Sequence, residues 1–139
     1  MNVPIFSVLR IEERSIATDS SNKGSFKNLV IWQRAVELSL AIYKLTESFP
    51  PSERFGLTNQ LRRASVSVAS NIAEGYGKST KGEYILFLGH SRGSNCELQT
   101  QLVIAAGLRM GNEFELKRAE DLAQEVGRML VALMKRLRG

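Results

Sequence analysis

The sequence predicts an all-α protein, an antiparallel up-down-up-down four-helix bundle, on three observations. Apolar residues recur at steps of three and four along four long segments. Short runs rich in proline, glycine or asparagine separate those segments. After residue 25 no stretch alternates apolar and polar side chains with the period of two that a half-buried strand needs. Short connections between long amphipathic helices make consecutive helices pack antiparallel.

Residues 1–25 read as a flexible or loosely docked N-terminal arm, closing with Ser20-Ser21-Asn22-Lys23-Gly24-Ser25. Val3, Ile5, Phe6, Val8, Leu9 and Ile11 within it could add a short strand or dock on a partner. A bundle domain over 26–139 follows. Its first helix is expected from Asn28 to Ser48, with Ile31, Ala35, Leu38, Ile42, Leu45 and Phe49 as one stripe. Pro50-Pro51 stops it, since proline lacks the amide donor and disfavours helix in the residue before. A second helix, Ser52 to Gly75 with a break near Gly56, carries Leu57, Leu61, Ala64, Val68 and Ile72. Gly75 is expected to cap it in the left-handed conformation, and Ser79 to open the third helix. That helix, Thr80 to Leu108, aligns Tyr84, Leu88, Ser91, Asn95, Leu98, Leu102 and Ala105. Gly107, Gly111 and Asn112 mark a turn, and Asn112 with Glu115 resembles a capping box. The fourth helix runs to about Arg138 on Ala119, Leu122, Val126, Leu130, Leu133 and Leu137.

The chain of 139 residues, 43% hydrophobic and 24% charged, has the balance of one globular domain able to bury a core without staples. The lone Cys96 excludes a disulfide framework and fits a reducing cytoplasm. No apolar run approaches the roughly 20 residues that cross a bilayer. Met1–Leu9 is too short and too weakly basic for a signal peptide.

The formal charge is +5, and it is unevenly placed. Residues 51–82 hold five cations and two carboxylates, 83–127 hold four and seven, and 128–139 hold four cations with no acid. Such asymmetry suits a polyanionic partner, although cations at a helix C-terminus also complement its dipole. Arg62, Arg63, Lys78, Lys81 and Arg92 form one basic group, and Lys135, Arg136 and Arg138 a second. Only Tyr76 and Tyr84 lie near the first, so aromatic interleaving for base stacking is weak.

No catalytic site is legible. A single histidine, His90, excludes any centre needing two imidazoles, and Phe87 three residues earlier breaks the Glu-x-x-His pattern of di-iron bundles. Cys96 lies six residues from His90, on nearly the opposite helix face. Gly75-Tyr76-Gly77-Lys78-Ser79-Thr80 echoes a phosphate-binding loop, but Ile72 stands where its first glycine belongs and a helix precedes it. No metal and no cofactor are expected. Gly89 and Gly93, inside the third helix, cost about 1 kcal/mol each against alanine. Close approach of a neighbouring backbone, with Ser65 and Ala69 as the matching narrow surface, would offset that cost; a ligand pocket is the other reading. Asn71, Asn95, Gln60 and Gln99, at or beside the stripes, are expected to bond between helices or subunits, with Glu97 pairing Arg92 or Arg63.

From Phe26 onward, over about four fifths of its length, the chain resembles the small bacterial four-helix-bundle family of 23S ribosomal RNA intervening-sequence proteins. The resemblance rests on Leu29-Val30-Ile31-Trp32, Thr46-Glu47-Ser48-Phe49-Pro50, Glu53-Arg54-Phe55-Gly56-Leu57 and Gln60-Leu61-Arg62-Arg63-Ala64. Ser70-Asn71-Ile72-Ala73-Glu74-Gly75 is its most specific run, and Arg92-Gly93-Ser94, Glu97-Leu98 and Gln101-Leu102 complete it. The resemblance implies a ring-like homo-oligomer, a homopentamer around a central channel, and no enzyme activity. The family is also similar to the accessory variability determinant of diversity-generating retroelements, which binds nucleic acid and a reverse transcriptase. Arg62, Arg63 and Arg92 are the matched basic positions. The expected function is therefore non-catalytic binding of RNA or DNA through backbone charge with little sequence specificity. The alternative is a protein-interaction adaptor or structural oligomer that touches no nucleic acid.

Overall fold

The computed structural model describes residues 24–139, so the expected arm lies outside the described residues except for its last two positions. Ser25 Oγ accepts the Lys27 amide at 3.2 Å and opens a short 3₁₀ turn, Phe26–Asn28. Four helices follow: α1 (Val30–Thr46), α2 (Leu57–Tyr76), α3 (Lys81–Gly107) and α4 (Glu113–Arg138). There is no β-strand among the described residues.

The helix ends follow from local chemistry. Before Pro50, α1 stops at Thr46, whose hydroxyl donates to the Ile42 carbonyl at 2.8 Å. Pro51–Glu53 then forms a 3₁₀ turn, and Glu53 Oε2 accepts the Leu57 amide at 2.9 Å, so a carboxylate rather than Ser52 marks the start of α2. Thr80, one residue beyond the expected Ser79, caps α3 by accepting the Glu83 amide at 3.1 Å. Asn112 Oδ1 accepts the Glu115 amide at 3.1 Å and caps α4 as the sequence predicts.

Each helix packs on two others in a closed cycle, α1 on α2, α2 on α3, α3 on α4 and α4 back on α1. The predicted stripes form the core: Leu38, Ile42 and Leu45 meet Leu61, Val68 and Ile72, then Leu88, Leu98 and Leu102, then Val126 and Leu130, all fully buried. Near its end α4 departs from the predicted register, for Met134 is buried while Leu133 and Leu137 are half-buried. The predicted stripe averages 3.6 residues per step from Ala119 to Leu137, whereas the buried seam goes on by fours, through Val126, Leu130 and Met134, and so turns away from it.

Two glycine expectations are corrected. Gly75 does not cap α2 but lies buried inside it, and a Cβ there would stand 2.8 Å from Phe87 Cβ and 3.2 Å from the Tyr84 carbonyl oxygen. The close approach of α2 and α3 is therefore made at Gly75, aided by Ser91 donating to the Val68 carbonyl at 2.8 Å and a Ser67–Ser94 hydroxyl pair at 2.9 Å. Gly89 and Gly93 do not make it: a Cβ at Gly89 would meet only Met134 Cε at 3.8 Å, and Gly93 faces open space. Ser65 turns instead to Ser39 of α1, with the hydroxyls 3.1 Å apart.

Gly111, at φ +82°, closes the α3–α4 turn against α1, where a Cβ would stand 2.6 Å from Leu45 Cδ1 and 2.9 Å from Phe49 Cε1. Gly111→Ala should therefore destabilise the fold by about 2 kcal/mol, through both the strained φ and the clash. Gly93→Ala should stabilise it by roughly 0.5–1 kcal/mol, since it adds only helix propensity. Urea unfolding followed by circular dichroism checks both signs.

Candidate nucleic-acid interface

Two members of the first basic group, Lys78 and Lys81, meet the second group at one end of the bundle, across more than fifty residues of sequence. The Tyr76 hydroxyl at the end of α2 donates to the Gly24 carbonyl before α1. The Tyr76 ring meets Tyr84 in the first turns of α3 edge to face, with centroids 6.0 Å apart. The charge of Arg136 in α4 reaches the Tyr84 phenol. Lys27, Lys78, Lys81, Lys135, Arg136 and Arg138 are all exposed at this end, against the carboxylates of Glu74 and Glu83. None of the six is in an ion pair among the described residues. Lys78 lays its ammonium over the Phe87 ring, 4.9 Å from the centroid, which fixes a cation at the α2–α3 connection. Lys27 belongs to neither basic group of the sequence, since it precedes α1 and lies far from both along the chain.

Burial raises the Tyr84 pKa above 10.0, the nearby Tyr76 adds to the rise, and Arg136 opposes it. The phenol thus stays protonated, and a hydrogen-bond donor, throughout the neutral range.

The other three predicted basic positions lie elsewhere and do different things. Arg62 is half-buried and turned onto α1, where its Nε donates to Thr46 Oγ1 at 2.9 Å and its guanidinium covers the Tyr43 ring at 4.5 Å. It is committed to holding α1 and α2 together. Arg63, the next residue, is exposed and in no ion pair among the described residues. Arg92 is exposed on α3, where with Arg128 of α4 it borders the groove between those helices. Neither Arg63 nor Arg92 pairs with Glu97, whose Oε1 accepts from Gln101 Nε2 at 3.1 Å, one turn along its own helix.

The polar side chains along the stripes divide similarly. Asn95 bonds across helices, donating to the Ala123 carbonyl at 2.9 Å, and Gln101 reaches Gln60 Oε1 at 3.4 Å. Asn71 instead bonds back to the Ser67 carbonyl of its own helix at 2.9 Å. The polar contact that sequence reasoning missed is Glu37, 2% exposed. Its carboxylate accepts from Arg34 at 2.8 Å and from Arg118 of α4 at 2.8 Å. A carboxylate one helical step from a stripe carries no signal in sequence that it will be buried between two guanidinium groups.

Among the described residues, no three His, Cys, Asp or Glu side chains group closely enough to hold a metal ion. His90 packs edge to face on Phe87 at 5.3 Å, and Cys96 is an exposed free thiol. No helix of the described residues is long and apolar enough to cross a membrane.

Four helices around one core, with six exposed cations at one end, define a small helical-bundle protein. The chain belongs to the 23S rRNA-intervening sequence protein family, whose model matches residues 27–132. It is similar in fold to a crystal structure from Bacteroides thetaiotaomicron, described as a protein with unknown function from the S23 ribosomal protein family. The TM-score is 0.68 and the identity 17%, over 76% of this chain and 99% of that one. No curated protein matches.

Because Arg136 favours the phenolate of Tyr84, Arg136→Ala should raise the Tyr84 pKa further. Alkaline titration of phenolate absorbance, with Tyr84→Phe to assign the signal, checks this. The stability tied to the raised pKa is complete below the unfolded value near 10.0 and is lost as pH rises through the folded value.

Proposed function

We propose that this protein is a non-catalytic, cytoplasmic nucleic-acid-binding oligomer that engages RNA or DNA backbones through its basic end. The observation that carries the reading is the gathering of Lys27, Lys78, Lys81, Lys135, Arg136 and Arg138, none ion-paired among the described residues, at one end of the bundle. Unpaired exposed cations release counterions from a phosphate backbone and give affinity without sequence choice. The antiparallel up-down-up-down order is part of the proposal. Its support is that Ser39 pairs with Ser65 while Thr46, further along α1, pairs with Arg62, earlier along α2. The free thiol of Cys96 supports a reducing compartment.

A ring-like homopentamer is the assembly that the family resemblance implies. The end opposite the cations supports association: Phe55 is 85%, Phe114 75% and Val103 69% exposed, with Leu108 beside them. Isolated chains rarely leave that much apolar surface in one region. The same surface favours the second reading, an adaptor whose partner is a protein, a reverse transcriptase being the kind that the resemblance implies.

The test is binding of nuclease-treated protein to labelled RNA and DNA across a salt series, with mass from light scattering. Affinity should fall steeply with salt. Replacing Lys135, Arg136 and Arg138 together by alanine should weaken all sequences alike and reduce the slope of log affinity by about two to three. Arg62→Ala should lower stability more than affinity, and Arg63→Ala should leave stability unchanged. No binding at low salt by a well-formed oligomer would sink the reading in favour of the adaptor.

A further inference from the structure

Between α1 and α2 the surface opens into a groove of about 290 Å³. Trp32, Val36 and Leu40 of α1 and Val66, Ala69 and Ala73 of α2 form its walls, two serines complete them, and no charged side chain lines it. Val66 is 44% exposed, and the other five apolar residues are only half-buried. An apolar strip is therefore left uncovered along one side of the bundle, and strips of this kind mark places where something apolar docks.

The chain itself leads into this groove. The 3₁₀ turn Phe26–Asn28 packs on both α1 and α2, the two helices that wall it. The Phe26 ring meets Trp32 edge to face, with centroids 5.3 Å apart. Three residues beyond Ala73, the Tyr76 hydroxyl donates to the Gly24 carbonyl. Gly24 is thus held at the mouth of the groove, and residues 1–23 lead up to it. Among them stand Val3, Ile5, Phe6, Val8, Leu9 and Ile11. From Trp32 to Leu40 the groove runs for about 12 Å. The chain from Glu12 to Lys23 spans up to about 40 Å when extended, so the apolar run reaches every point of it. A stable interface between two copies takes about 20–30 residues a side, whereas eight residues line this groove. Its scale suits a short apolar segment.

We propose that the α1–α2 groove is the docking site of the chain's own N-terminal segment, Val3–Ile11, whose apolar side chains cover Trp32, Leu40 and Val66. Removal of apolar surface from water on both sides drives the docking. Because the segment is tethered at the mouth of the groove, docking is intramolecular, and its high effective concentration lets a few buried side chains suffice. The inference stands apart from the nucleic-acid reading and from the basic end.

Trp32 is the chain's single tryptophan, so its emission reports on the groove alone. The test compares acrylamide quenching of that emission, and trypsin cleavage after Arg10 and Arg14, in three full-length chains. They are the parent, Phe6→Asp/Leu9→Asp, whose changes lie outside the bundle, and Val66→Asp, at an exposed position of the groove. In both variants the Trp32 emission should shift to the red and quench more readily. Both should be cut after Arg10 and Arg14 about tenfold faster than the parent, because cleavage follows the undocked population. Circular dichroism checks folding; where Val66→Asp fails to fold, Ser70→Lys, at an exposed residue of the same groove, replaces it. Equal quenching and cleavage in the parent and in Phe6→Asp/Leu9→Asp overturn the docking. Protection from trypsin that survives the groove substitution places the segment elsewhere and also overturns it. A last arm co-refolds Phe6→Asp/Leu9→Asp from urea with an excess of Trp32→Phe chains that keep the segment. Its Trp32 should stay readily quenched; recovered protection shows the segment of a second copy in the groove and overturns docking within one chain.

Discussion

Four helices that each carry one apolar stripe can hide those stripes only from each other, and this constraint sets the rest of the molecule. Leu38, Leu61, Leu98 and Val126 are at zero exposure because each helix packs on two neighbours in a closed cycle. Burying stripes of this kind is worth about 25 cal/mol per Å² of apolar surface, far more than any single polar contact here. Polar side chains inside the bundle must then fit the seam. Serines do so at little cost, with Ser91, Ser67 and Ser65 spending their hydroxyls on neighbouring helices or backbone. Glu37 fits only because Arg34 and Arg118 both reach its carboxylate. Removing either partner would leave a buried charge undercompensated.

Once the sides are committed to packing, connections and chain ends gather at the two ends of the bundle, and the ends differ. One collects Phe55, Leu108 and Phe114; the other collects six cations. The helix dipole explains part of the second group, since Lys135, Arg136 and Arg138 stand in the last turn of α4. It covers Lys78 as well, just past the C-terminus of α2, but not Lys81, which opens α3, where the dipole disfavours positive charge. The α3 N-terminus is served instead by Thr80 and Glu83. Lys81 thus holds charge against the local field, and the nucleic-acid reading gives that charge a use.

The sequence made the four helices, the core stripes and the Asn112 cap legible, because periodicity and capping are local properties. It made legible which residues are basic but not which of them meet. Lys78 and Arg136 come together only through the packing of α2, α3 and α4, and nothing in their spacing announces it. Adjacent residues were separated just as firmly: Arg62 and Arg63 differ by about 100° around α2, enough to put one on Tyr43 and the other in solvent. The glycines went unread for the same reason. Gly75 and Gly93 look alike in sequence, and only the neighbouring helix tells a required glycine from a permitted one.

The length of the helices gives the two ends independence. At 26 residues α4 spans about 39 Å from the apolar end to the basic one. Sites so far apart, with no shared side chain, respond to substitution nearly additively. Self-association through one end would leave the other open, and screening of surface charge over about 10 Å at moderate salt keeps the cations from acting on the apolar surface. In an assembly of several copies the cations would then be multiplied without any new contact to the ligand. Affinity for a long polyanion would rise through effective concentration rather than through better chemistry at any one lysine. On the proposed reading, a weak, unspecific patch on a small bundle becomes useful through repetition.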